Sequence, residues 1–495
     1  MSSLISAVER LSEAKRTVLE KYLRGEVAHA GQNARAITPR PSAELAPLSL
    51  GQEQLWLRDQ TAGIPPLHNE SITLHRRGPL DVAILEQCLT EIIRRHEIWR
   101  TTYDTSNSRP FQAIHPAPST FPLLVMDLRS LPEADREGEA LRLASEEAQR
   151  PFDLKRGPLL RATVVRIGDE DYRLAMTAHL SIVDGVSVYQ VFPSELARLY
   201  QAFSAGKMSP LPEPLIQYAD YAYWQRQWLI GREMQKQLDY WRNRLAGELP
   251  TLQWPNDHPR PTAQTFCGAV LSFAWPRHLG DAIKELSLRA GVTLFTSLQS
   301  GFTALLHNYT GQSDVIVGTL SPAGRKRSEV EGLLGYFLNP VVLRIDFTED
   351  PPFNELLRQT QRVTSEAISH DDLPIEFLAR ELLPKQDPSR HPFFTTAISL
   401  QPPMSPIGSG WSVTSMDAAS GGAMWDLYLA FIEQSTGIIG RVQYNPDLFE
   451  ARTVTQMVED LQALLATAVA NPRQRLSKLA GRRCIRKINQ RRSEG

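Results

Sequence analysis

From Leu48 onward, apolar positions fall into two periods that alternate along the chain. Val82, Leu85, Leu89, Ile92 and Ile93 share one face at a 3.6-residue spacing, which predicts a helix ending at Arg94-Arg95-His96-Glu97. Tyr172 to His179 reads as a strand. A tight turn at Asp184-Gly185 follows, and then a helix from Val186 to Phe203, with Pro193 inside that span expected to shift its start or kink it. The alternation then repeats. Leu279 to Leu306 is helical with a break near Gly291, Val315 to Gly318 and Val341 to Asp346 are strands, and Phe353 to His370 and Thr453 to Ala470 are helices. This pattern predicts two α/β lobes, residues 47–225 and 226–480. The periodicity is interrupted near 210–235, and each lobe is large enough to bury its own core.

Both ends differ from this middle. In residues 1–25, Leu4, Val8, Leu11, Val18 and Tyr22 keep a helical spacing, expected of a packed N-terminal arm or, alternatively, of a docking element for a partner protein. Residues 26–46 are polar and carry prolines, as a linker does. Residues 481–495 collect Arg482, Arg483, Arg486, Lys487, Arg491 and Arg492, a basic tail expected to be a solvated terminus rather than a nucleic-acid grip.

Composition narrows the function classes. Lys+Arg 54 against Asp+Glu 55 leaves a net charge of -1, which argues against electrostatic binding of nucleic acid or an anionic membrane. No run is apolar and long enough for a signal peptide or a membrane span. The three cysteines, Cys88, Cys267 and Cys484, lack metal-ligand or disulfide spacing, so inert thiols in a reducing cytoplasm are expected.

The candidate chemistry lies in His179-Leu-Ser-Ile-Val-Asp-Gly185, which resembles the HHxxxDG signature of condensation domains and their acyltransferase superfamily. Companion motifs follow in family order over roughly residues 47–480. Ser49 to Trp56 is similar to SxAQxRLW, Arg95 to Tyr103 to RHExLRTxF, and Tyr218 to Trp224 to YxDYAxW. Gly335 to Asn339 is similar to GxFVN, His370 to Glu376 to HQDLPFE, Asp387 to Pro392 to RDxSRxP, and Trp425 to Leu427 with Tyr444 to Phe449 to FDL and YNxDLF. The chain is identified as a member of the condensation-domain family of nonribosomal peptide synthesis.

That resemblance implies a fold class and a reaction. The fold is an α/β pair of chloramphenicol acetyltransferase-like lobes in a V shape with a tunnel between them. The reaction is attack of an acceptor amine on a donor thioester. The protein is expected to have no cofactor of its own, and to be a cytoplasmic monomer. Both substrates arrive on phosphopantetheine arms of donor and acceptor carrier proteins, expected to be separate partners because no carrier attachment motif occurs here. Asp184 to Tyr189 and Asp426 to Leu429 are similar to condensation domains that follow polyketide modules, which implies an acyl donor on a polyketide-type carrier.

One departure bears on the chemistry. In the family the second histidine of the signature faces the tunnel, and here that position is Leu180, which has no lone pair to take a proton. His179 is next to it, and strand neighbours point to opposite faces, so His179 is expected to be a structural histidine facing away. Asp184 is expected to be architectural, paired with Arg95 or Arg100. Asn339, Ser389, Arg390 and Trp425 are the remaining candidates for lining or latching the tunnel. Asp371 and Asp372, beside Pro374, read as a helix-start cap rather than an acid–base pair. Catalysis therefore remains open against a non-catalytic scaffold that holds carriers or recruits a tailoring enzyme, and against a remnant of a larger synthetase.

Overall fold

The computed structural model describes residues 36–479 apart from 42–44, 62, 108, 348, 384, 386, 414–417 and 435. The expected helix of residues 1–25, most of the linker, the basic tail and Cys484 lie outside the described residues. The chain divides into two compact units, Met1–Thr38 and Pro39–Gly495. Of the first, only residues 36–38 are described, without regular structure, and everything below concerns the second.

Fourteen described strands build three sheets. The strands are β1 Ala46–Pro47, β2 Asn69–Arg77, β3 Thr101–Ser106, β4 Arg109–Ile114, β5 Leu124–Asp127, β6 Leu160–Gly168, β7 Asp171–His179, β8 Ala269–Pro276, β9 Asp314–Ser321, β10 Asn339–Asp346, β11 Thr396–Gln401, β12 Trp411–Val413, β13 Leu427–Gln434 and β14 Gly437–Tyr444. A five-stranded sheet runs β12-β2-β7-β6-β5, a six-stranded sheet runs β10-β9-β11-β13-β14-β8, and β1, β4 and β3 form a small third sheet.

The first large sheet takes its central strands from the first half of the chain. β7 lies between β2 and β6, antiparallel to both, and its pattern is buried almost throughout because side chains on both faces are covered. The Val82–Arg95 helix buries Leu85, Cys88, Leu89, Ile92 and Ile93, the stripe read from the sequence, and Asp81 caps it by accepting the Ile84 N–H at 3.1 Å. It packs against the Phe192–Ser204 helix. The second large sheet has its own core, with Phe302, Leu343, Phe353, Phe431 and Leu465 all buried.

Two features join the halves in ways the periodicity does not show. β12, far along the chain, adds to the edge of the first large sheet, with Trp411 opposite Arg76 and Val413 opposite Leu74. The division expected at residue 225 falls inside one continuous helix, Tyr218–Trp228. Its buried Tyr218 and Tyr221 lie 5.0 and 4.8 Å from the Phe337 ring.

Pro193 acts as expected. A π-helical turn, Ser187–Val191, precedes the α-helix, which begins at Phe192. Proline has no N–H for the carbonyl four residues earlier, and that carbonyl, of Tyr189, accepts the Ser405 N–H at 2.7 Å instead.

Candidate functional site

The site is built where β7 runs out. Met176, Ala178 and Leu180 follow the two-residue alternation onto the wall of a cavity whose other walls come from both halves of the chain. His68, Glu70, Asp184, Gly185 and Tyr189 contribute from one side, and Glu376, Gln401, Trp425, Tyr428 and Arg441 from the other. Leu180 is half-buried there, in a short 3-10 turn, Leu180–Ile182.

His179 faces the opposite way and both of its ring nitrogens are occupied. Nε2 donates to Asp59 Oδ2 at 2.7 Å, and Nδ1 is 2.7 Å from the Ser181 hydroxyl. The second carboxylate oxygen of Asp59 is 2.8 Å from His68 Nδ1, so one carboxylate holds two imidazoles. Burial would raise the Asp59 carboxyl, but the hydrogen bonds from His179 and His68 outweigh it and hold it well below the usual carboxylate range. Burial pushes the His68 imidazole below its ordinary value, against the pull of Asp59, so the neutral ring is favoured. Asp59, His68 and His179 are, among the described residues, the group whose donor atoms are close enough for a metal, all within 4.8 Å. Each imidazole has its own carboxylate oxygen at hydrogen-bond distance, which leaves His68 Nε2 as the one ring nitrogen of the cluster without a hydrogen-bond partner among the described residues.

Asp184 is fully enclosed and receives four donors. Arg325 Nε and Nη2 approach its two oxygens at 2.8 Å each, the Ser187 N–H reaches Oδ1 at 2.7 Å, and the Phe337 N–H reaches Oδ2 at 3.3 Å. Its lone pairs are committed to the fold. The expected partners are corrected here. Arg95 ends a helix that packs on the one bearing Glu195, and it pairs with Glu195 at 3.1 Å and with the Pro212 carbonyl at 2.8 Å. Arg100 sits on the 3-10 turn that leads into β3 and donates to the His115 carbonyl. Neither reaches Asp184.

The other candidates separate. Trp425 lines the cavity. Gly185 lies against Gln401, whose Oε1 would be 2.3 Å from a Cβ placed there. Asn339 is not a wall of the cavity: its amide donates to the carbonyls of Asp371 and Leu373 at 2.6 and 2.7 Å. Ser389 and Arg390 form a turn held by Asp387 and lie off the cavity too, although the Ser389 carbonyl accepts from Arg260, which also grips Asp426. Asp371 and Asp372 cap no helix. Asp371 binds Ser321 and Lys326, Asp372 accepts from Gln237 at 2.7 Å, and the Ile375–Leu382 helix starts at Pro374 without a side-chain cap.

Arg325, Asp59, His68, Gln401 and Arg441 were not singled out by the sequence reading. Arg325 is 141 residues from Asp184, with no motif linking the two.

A family model described as the condensation domain matches residues 42–481. The chain belongs to the condensation-domain family. This condensation domain is 39% identical over 463 residues to a linear gramicidin synthase of Brevibacillus parabrevis, covering 92% of this chain and 6% of that protein. It is 34% identical to phosphinothricin tripeptide synthetase PhsC of Streptomyces viridochromogenes, covering 95% of this chain and 43% of that one. The chain thus spans less than half the length of either relative. The X-domain from teicoplanin biosynthesis matches with a TM-score of 0.75 at 26% identity, over 89% of this chain and 99% of that one. That X-domain has also been solved in complex with OxyB. The condensation domain therefore has the α/β fold that its motifs imply. No helix among its described residues is long and apolar enough to cross a membrane.

Proposed function

We propose that this condensation domain joins a donor acyl or peptidyl thioester to an acceptor amine, and does so slowly because Leu180 stands where the family signature carries a histidine. Both substrates arrive on the phosphopantetheine arms of carrier proteins, and the domain works without a cofactor of its own, as a monomer of two lobes. The observation that supports this reading is Leu180 in the cavity wall. An aliphatic side chain cannot take a proton from the attacking nitrogen, a loss of about 10²–10⁴-fold. Two reactants held on tethered arms still meet at high effective concentration. The wording of Asp184–Tyr189 and Asp426–Leu429 further supports a donor on a polyketide-type carrier.

The test is amide formation with matched donor and acceptor carriers, wild type against Leu180→His. Slow wild-type turnover that rises with histidine is expected, and equal rates in the two proteins contradict the role given to Leu180. Loading the donor carrier with a polyketide-type or a peptidyl chain settles the donor class.

A second reading, a non-catalytic scaffold that binds carriers or recruits a tailoring enzyme, is favoured by the likeness to an X-domain solved with a second protein. It predicts no wild-type amide at all, and capture of the domain by its neighbouring carriers or enzyme.

A further inference from the structure

We propose that His68, oriented by Asp59, is the proton acceptor for amine attack in this condensation domain, serving from the turn that leads into β2. The inference rests on the catalytic reading above and names the residue that carries it.

Register places the imidazole. Asn69 pairs with His179 across β2 and β7, and the Leu180 N–H continues the ladder to the His68 carbonyl at 2.7 Å. One step beyond the last strand pair, the His68 backbone is therefore opposite that of Leu180. Both line the same cavity. An imidazole is thus on the wall of the same cavity as the position the family signature gives to histidine, supplied by the turn before β2.

Its hydrogen bonding suits a base. Asp59 Oδ1, at 2.8 Å, fixes the proton on Nδ1 and leaves Nε2 with its lone pair, the arrangement in which a carboxylate orients a catalytic imidazole. Nε2 is buried and has no hydrogen-bond partner among the described residues. An unmade hydrogen bond at a buried acceptor is unfavourable, and an incoming N–H satisfies it. His179 cannot substitute, because Asp59 and Ser181 occupy both of its nitrogens.

The step balances. The amine nitrogen bonds to the thioester carbon while Nε2 takes one of its protons. The C–S bond then breaks, the electron pair leaves with sulfur, and Nε2–H returns the proton to it. An amide and a free thiol result, and His68 ends neutral.

The experiment uses four proteins: wild type, His68→Gln, Leu180→His and the double variant, assayed with matched loaded carriers. His68→Gln is expected to lower wild-type kcat by about 10²–10⁴-fold with little change in KM for the carriers. In the Leu180→His background, which supplies its own imidazole, the same change is expected to cost less than about tenfold. Equal losses in both backgrounds make His68 structural and overturn the proposal. An unchanged wild-type rate on His68→Gln also overturns it, while leaving the catalytic reading intact. A wild type without any turnover, beside an active Leu180→His, overturns the catalytic reading itself and the role of His68 with it.

Discussion

Asp184 and Arg325 clasp each other through two hydrogen bonds of 2.8 Å, with the carboxylate fully enclosed, and so tie the turn after β7 to the turn after β9. The turn that frames one wall of the cavity is thereby fixed by a residue 141 positions away. Arg325 has further commitments, to the carbonyls of Val330 and Leu333 and, through its guanidinium, to the Phe337 ring 4.3 Å away.

Asp184→Ala leaves that guanidinium buried and unpaired, and is expected to lower stability by about 3–5 kcal/mol. Asp184→Leu combined with Arg325→Met removes both charges and is expected to recover much of the loss. Denaturant unfolding measures both. An Asp184→Ala protein with the wild-type midpoint contradicts the architectural role.

Gly335 tests the packing between the Tyr218–Trp228 helix and the loop before β10. Its φ is +154°, and a Cβ there would lie 2.1 Å from a ring carbon of Tyr218. That ring is buried and its hydroxyl is 2.8 Å from the Ser49 hydroxyl, so it has nowhere to move. Gly335→Ala is expected to cost about 1–3 kcal/mol, read as a lowered thermal midpoint.

Leu180→Ala separates missing chemistry from excess bulk. If a base is what position 180 lacks, alanine leaves turnover within a few-fold of wild type, whereas histidine raises it by up to about 10²–10⁴-fold. Equal gains from alanine and histidine in the carrier assay point to obstruction of the cavity instead.

His391 makes stability depend on pH. It is buried, with the Phe394 ring centroid 4.5 Å away. Burial, with a smaller push from the positive charge of Arg58, lowers its imidazole from the ordinary 6.5 to about 3. The unfolded chain takes up this proton near 6.5 and the folded chain does not. The stability from the neutral ring is therefore complete above pH 6.5 and is lost as pH falls toward 3. Between about pH 6.5 and about pH 5 the wild type is expected to lose up to ~2 kcal/mol more than His391→Phe. Unfolding free energies at the two pH values check this, and parallel losses in the two proteins contradict it.

Much of this protein is legible along the chain because its causes act over a few residues. Strand alternation put Leu180 and His179 on opposite faces, a 3.6-residue stripe marked the Val82–Arg95 helix, and the missing N–H of Pro193 altered the start of its own helix. Even a local reading failed where tertiary partners competed: Asp371 and Asp372, beside a helix start, bind Ser321, Lys326 and Gln237 instead of capping it. Long-range pairing has no such local cause. Arg95, Arg100 and Arg325 are chemically identical, and only chain closure decides which of them meets Asp184. Likewise His68 comes to lie opposite Leu180, and β12 comes to pair with β2, through the register of strands far apart in sequence. Sequence alone determined several of the helices and strands and the absence of a histidine at position 180. The tertiary structure decided which groups surround that loss, because side chains pair by distance in space and not by distance along the chain.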